Sequence, residues 1–209
     1  MTDDERISRV HEAIEAELGT HYREPAIVRW TTLVSHALGG PDPLDSVEVY
    51  PHPDGHWHYV SLGMSELGGK RSKNAAVSGW GFELTFALSP SPSSSSSVST
   101  GATPAREPPI WPRHLLNRVA RDLLADQHGI DHGHYIERPG DPAGRFWGVV
   151  RDPVLRPVDT ANGRFEWLQL VALAEGEFRE LQGDDYESFL AGLAQRNPFF
   201  VTAPLSSPA

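Results

Sequence analysis

Between residues 79 and 88, large apolar positions alternate with small or polar ones. Trp80, Phe82, Leu84, Phe86 and Leu88 share one face, and Gly81, Glu83, Thr85 and Ala87 share the other. That period of two predicts a β-strand with one face on a core. Residues 56–62 predict a second strand of a different kind. Trp57 and Tyr59 fall on one side of it, His56, His58, Val60 and Leu62 on the other. Both sides carry apolar bulk, which places this strand inside a sheet and not at its edge. The connection between the two holds GGKRSK at residues 68–73. A phosphate cradle needs a glycine loop between a strand and a helix. Here a strand follows, so a solvated hairpin loop is the better reading, with an acidic partner as a contact it could make.

The flanking pattern predicts helices and shorter strands. Thr2 precedes Glu5 by three, a capping-box signature, and Ile7, Val10, Ile14 and Leu18 then recur at helical spacing up to Gly19. Residues 27–38 fit a helix slightly better than a strand. Gly39, Gly40, Pro41 and Pro43 force a turn, in which Asp42 and Asp45 read as caps for loop amides before they read as a carboxylate pair for chemistry. Residues 47–50 alternate as a short strand. Trp111-Pro112 opens a helix whose apolar face is Leu115, Leu116, Val119, Ala120, Leu123 and Leu124, ending near Gln127 or Gly129. Further strands are expected at 132–136, 146–150, 154–158 and 164–174. Asn162-Gly163 marks a hairpin turn, and the near-continuous apolar run 168–174 marks a central strand. A helical turn at 175–181, a helix capped by Asp184 with Phe189, Leu190 and Leu193 facing inward, and a short strand at 199–202 complete the pattern.

Composition changes this picture in three ways. The 209 residues suffice for one domain with a real core, and the 39% apolar content is diluted by residues 89–109, rich in Ser and Pro, and by a polar tail at 203–209. The Ser/Pro tract buries too little apolar area to offset ordering, so it reads as a disordered excursion within one domain spanning 1–209. The net charge of -10 repels phosphate backbones and argues against general nucleic-acid binding. The absence of cysteine removes disulfides, thiolate nucleophiles and Cys-type zinc sites. Residues 1–9 contain no apolar signal core and no run approaches membrane-spanning length, so a cytoplasmic protein is expected.

The strongest chemical constellation is two histidine pairs, His56-x-His58 and His132-x-His134. Each would put two imidazoles on one strand face, and together they could make a zinc site with Glu66 or Glu83 as general base, a metal-dependent hydrolase. The plainer reading makes them satisfied polar residues beside an aromatic strand, since ten histidines make such pairs common by chance. On that reading the chain is not an enzyme and holds no cofactor and no metal. No GxSxG and no nucleotide fingerprint competes. On the polar face of the Trp111 helix, Asp122 and Asp126 lie one turn apart, with Glu137 shortly beyond.

The runs LGGPDPLD (38–45), HWHYVSLGMSEL (56–67) and GWGFELTFAL (79–88) resemble the Suppressor of fused family, as do PPIWP (108–112) and, more loosely, DPVLRPVDT followed by FEWLQLV (152–171). Their order and spacing agree over most of residues 20–200. The resemblance implies a mixed α/β (α+β) domain, a central and largely antiparallel sheet with flanking helices. It also implies a protein-binding module. In the animal protein this domain and a second one clamp a peptide of a zinc-finger transcription factor, and this chain ends where that second domain would begin. Bacterial single-domain members have been proposed, from genome context, to be immunity proteins that neutralise toxins. The family positions that help hold the peptide, a Tyr and an Asp, correspond here to Asp122 and His134, so a different partner is implied. The partner-binding candidates are therefore Asp122, Asp126, His134 and Glu137, and the expected partner is another protein, in the immunity reading a basic toxin. A regulatory adaptor without a toxin is the other alternative to the hydrolase.

Overall fold

A computed structural model of the chain describes residues 2–34, 36, 39–90, 107–138, 146–183 and 185–203. Residues 91–106 of the expected excursion, residues 204–209 of the expected tail, and Asp184 lie outside them.

The elements run α1 (Asp3–His21), β1 (Val28–Thr31), β2 (Ser46–Pro51), β3 (Trp57–Leu62), β4 (Val77–Leu88), α2 (Trp111–Asp126), β5 (Tyr135–Glu137), β6 (Phe146–Arg151), β7 (Val158–Thr160), β8 (Gly163–Leu173), α3 (Glu175–Leu181) and α4 (Tyr186–Arg196). The strands form one sheet in the order β1-β2-β3-β4-β8-β6-β5, with β7 pairing the start of β8. Every pair is antiparallel except β4 with β8. This is the mixed, largely antiparallel architecture that the sequence predicts, with β3 inside the sheet and β8 at its centre.

Both faces of the sheet are covered. On one, α2 lays Leu115, Leu116 and Val119 against Tyr59, Leu84, Phe86, Trp147 and Leu170. On the other, α1 packs Val10, Ile14 and Leu18 on Val60, Leu62 and Trp167. Farther along that second face, α3 and α4 cover Val150, Val171 and Leu173. The helix starts follow local chemistry. The Thr2 hydroxyl accepts from the Glu5 amide at 3.2 Å and the Glu5 carboxylate accepts from the Thr2 amide at 2.8 Å, the reciprocal box expected.

Six expectations are corrected. Residues 27–38 hold a strand, β1, because Val28, Trp30 and Thr31 pair with β2 and a turn follows. Residues 154–158 are loop, since Pro153 and Pro157 interrupt any ladder and the Asp152 carboxylate takes the amides of Val154 and Leu155 at 2.8 and 2.9 Å; the strand is β7. The strand expected at 132–136 begins only at Tyr135. The N-cap of α4 is Asp185, whose carboxylate accepts from Ser188 N. Residues 199–202 make a single bridge, Leu88 to Thr202, and no longer strand. Finally, β4 is buried on both faces: Glu83 and Thr85 are fully enclosed opposite the aromatic face.

Candidate binding surface

α2 positions the first candidates. Pro112 fixes its opening turn, and its buried stripe holds it on β3 and β4, so Arg121, Asp122 and Asp126 face outward. The helix ends where Gln127 turns left-handed and the His128 amide closes on Leu123 O. The chain then returns through residues 128–134 to β5, which pairs Tyr135 with Gly148 and Glu137 with Phe146 and forms one edge of the sheet.

This return brings Asp122 and β5 together. Arg138, just beyond β5, forms an ion pair with Asp122, whose side chain is 56% exposed. Asp126 is exposed, and its side chain makes no ion pair or hydrogen bond among the described residues. His134 is exposed at the turn into β5, where its Nδ1 accepts from the Asp131 amide at 3.2 Å. Glu137 is separated from the others. Ile136 packs into the α2 core and Arg138 reaches α2, so strand alternation turns Tyr135 and Glu137 to the opposite face, where the Tyr135 ring meets Phe178 edge-on. The structure thus gathers Asp122, Asp126 and His134 around the end of α2 and leaves Glu137 on the α3 side.

The two histidine pairs have separate surroundings. His58 is buried, its Nε2 is 2.8 Å from Asp152, and its Nδ1 meets the Tyr22 hydroxyl. His56 stacks on His52 at a centroid distance of 4.2 Å and leans on Phe199. Burial, with His52 and His58 nearby, pushes the His56 imidazole down to about 4. His132 accepts the Arg151 amide at 3.1 Å. Among the described residues no three His, Asp or Glu side chains are grouped to hold a metal ion.

The proposed general bases are likewise engaged. Glu83 is enclosed and accepts from Ser61 Oγ, Gly63 N, Ser65 N and Ser65 Oγ at 2.6–2.9 Å. Burial still pushes its carboxyl up to about 7. Glu66 lies in the basic loop and takes the amides of Arg71 and Ser72, the Ser72 hydroxyl and Lys70. Burial raises its pKa, but these donors outweigh it and hold the carboxyl below the usual range. The glycine-rich loop therefore does form an anion nest, and a carboxylate of the same chain fills it.

Sequence reasoning missed one polar network. Tyr22, His58, Thr85 and Asp152 connect the end of α1, β3, β4 and the loop after β6. Burial alone would raise the Asp152 pKa, but His58, Thr85 and the Leu155 amide hold it below the ordinary aspartate value. Asp152-Pro153 was visible as a motif. Its partners lie 67 and 94 residues away, and no local pattern names them.

The profile of the Suppressor of fused protein (SUFU) family matches residues 40–204. The chain belongs to the Suppressor of fused family. It is 31% identical over 177 residues to the human Suppressor of fused homolog, covering 76% of this chain and 34% of that protein. The mouse homolog gives the same identity and coverage. The chain thus spans about a third of the length of these curated relatives. Among solved structures, the crystal structure of Drosophila Suppressor of Fused superposes with a TM-score of 0.81 at 29% identity, covering 93% of this chain and 50% of that one. A chain of the Sufu–Fu complex superposes with a TM-score of 0.80 at 29% identity, covering 92% of this chain and 88% of that one. The Suppressor of fused runs read in the sequence fall on the connection into β2, on β3 and β4, at the start of α2 and on β7–β8. Among the described residues no helix is long and apolar enough to cross a membrane.

Proposed function

We propose that this chain works by binding another protein, without catalysis, and that in the cytoplasm it neutralises a basic toxin as an immunity protein. The observation that carries the binding reading is the likeness, over nearly the whole chain, to a Suppressor of fused protein solved in complex with Fu. A net charge of -10 favours a cationic partner, because the field steers encounter before any contact forms. The contact surface we assign is the end of α2 with the turn into β5: Asp122, Asp126 and His134, with Glu137 at the far side of the strand.

Asp126 stands alone, so Asp126→Lys removes a free acidic contact and leaves the fold intact, within about 0.5 kcal/mol. Asp122→Lys alone would set two cations side by side, so it is paired with Arg138→Glu to keep the ion pair in reversed order. The immunity reading expects a toxin gene beside this one; association with the product of such a neighbouring gene is then followed at low and high salt. Wild-type association should slow as salt rises and slow further in Asp126→Lys. Rates indifferent to both would remove this patch. A toxin activity unaffected by the protein would remove the immunity role.

A further inference from the structure

β4 departs from its partner at one place. Val77 pairs with Arg164 and Phe82 with Glu166, so Ser78, Gly79, Trp80 and Gly81 stand opposite the single residue Phe165. Two left-handed glycines build this bulge, Gly79 at φ 57 and Gly81 at φ 84. A Cβ on Gly79 would lie 2.4 Å from the Met64 carbonyl oxygen, so the bulge is held against the loop after β3 with no room for another residue. Bulges re-aim a side chain, and here the side chain is an indole.

Trp80 is half-buried on the α2 side and lines two cavities at once. One, of about 530 Å³, is bounded by Pro43, Met64, Leu67 and Leu124. The other, of about 320 Å³, is bounded by Val77, Phe82, Ile130 and Phe165. The rim of the larger cavity is the basic loop. Lys70 is spent inside the protein, donating to the carbonyl oxygens of Val77 and Asn162. Arg71 and Lys73 are exposed, and neither side chain makes an ion pair or hydrogen bond among the described residues. The acidic groups nearby are Glu66, already held by the loop's own amides, Asp45 on the Pro43 wall, and, in the smaller cavity, Asp131 and Glu166, both of which face Arg151. An indole that walls a mainly apolar cavity beside two exposed cations without a side-chain partner is the chemistry of a protein-docking hot spot.

We propose that the Trp80 bulge docks an extended acidic segment of another protein, with an apolar side chain seated against the indole and carboxylates reaching Arg71 and Lys73. This goes beyond the proposed function: it uses different residues and the opposite charge. Because the chain as a whole carries -10, an acidic segment would depend on this one loop for its attraction.

The test is a selection of random linear peptides displayed on phage against the wild-type protein, followed by affinity measurement on variants. The enriched peptides should carry an apolar residue beside Asp or Glu. The double reversal Arg71→Glu with Lys73→Glu should weaken them about tenfold or more, whereas Asp126→Lys should leave them unchanged. Trp80→Leu should weaken them as well. If that variant loses its circular dichroism signal, the exposed Arg71 and Lys73 pair decides alone. Peptides that are basic, peptides indifferent to the double reversal, or a selection that enriches nothing would each overturn the proposal.

Discussion

Glu83 and Asp152 are both buried carboxylates, and they titrate in opposite senses. Asp152 faces His58 and three other donors, so its anion is favoured in the folded state. Its contribution to stability is present above the ordinary aspartate pKa and is lost as pH falls through its depressed value. Glu83 has four donors but no cation, and burial wins, lifting it to about 7. Its contribution is therefore present below the ordinary glutamate pKa and is lost as pH rises through about 7. Glu83→Gln removes the ionisation and keeps an acceptor for the Gly63 and Ser65 amides. Chemical denaturation from about pH 5 to 8 should show the variant gaining on wild type with rising pH. Parallel stability curves for the two proteins would mean that Glu83 is ionised throughout. At this scale the sequence showed the residue types and hid their partners. Ser61 and Ser65 are ordinary serines until the end of β3 curls around Glu83.

β4 shows how an element's role exceeds its pattern. Its alternation was legible, and the aromatic face was placed correctly on a core. Phe86 is fully buried, with Tyr59, Trp111 and Trp147 arranged edge-on around it at centroid distances of 5.3–6.3 Å. Phe86→Ala should cost about 3–5 kcal/mol, read from denaturant midpoints. A near-neutral result would contradict the packing of α2 on this face. The opposite face was not legible, because Glu83 and Thr85 read as solvent-facing polar positions until α1 and the loop after β6 close over them. β1 failed for a related reason. Four residues of strand at a sheet edge carry too short a period to outweigh a longer helical coincidence in residues 27–38.

Over the whole molecule, the two ends of the Ser/Pro tract are fastened independently of it. Ser89 N and Thr202 N bond across the Leu88–Thr202 bridge, and the Tyr59 hydroxyl donates to Pro109 O at 2.8 Å. Replacing residues 91–105 with a short flexible linker should therefore change stability little, since doubling a loop costs only about 0.6 kcal/mol. A large fall in melting temperature would show that the tract packs on the domain. The net charge acts at this scale too: it would steer the proposed cationic partner from a distance, whereas the proposed Arg71–Lys73 contact would act only at short range.

The sequence by itself determined the mixed architecture, the inner position of β3, the central β8, the α1 and α2 stripes and the family. All of these rest on local periodicity, on turn residues or on joined runs of motif. Tertiary structure alone decided which polar groups meet. It set His58 on Asp152 across 94 residues, Asp122 against Arg138, and Glu137 on the far side of β5 from the acidic residues of α2. It also left Trp80 on an open groove while its strand neighbours went under α2. Periodicity reports the direction of a side chain from its own backbone. What waits in that direction is fixed by the chain's long-range pairing.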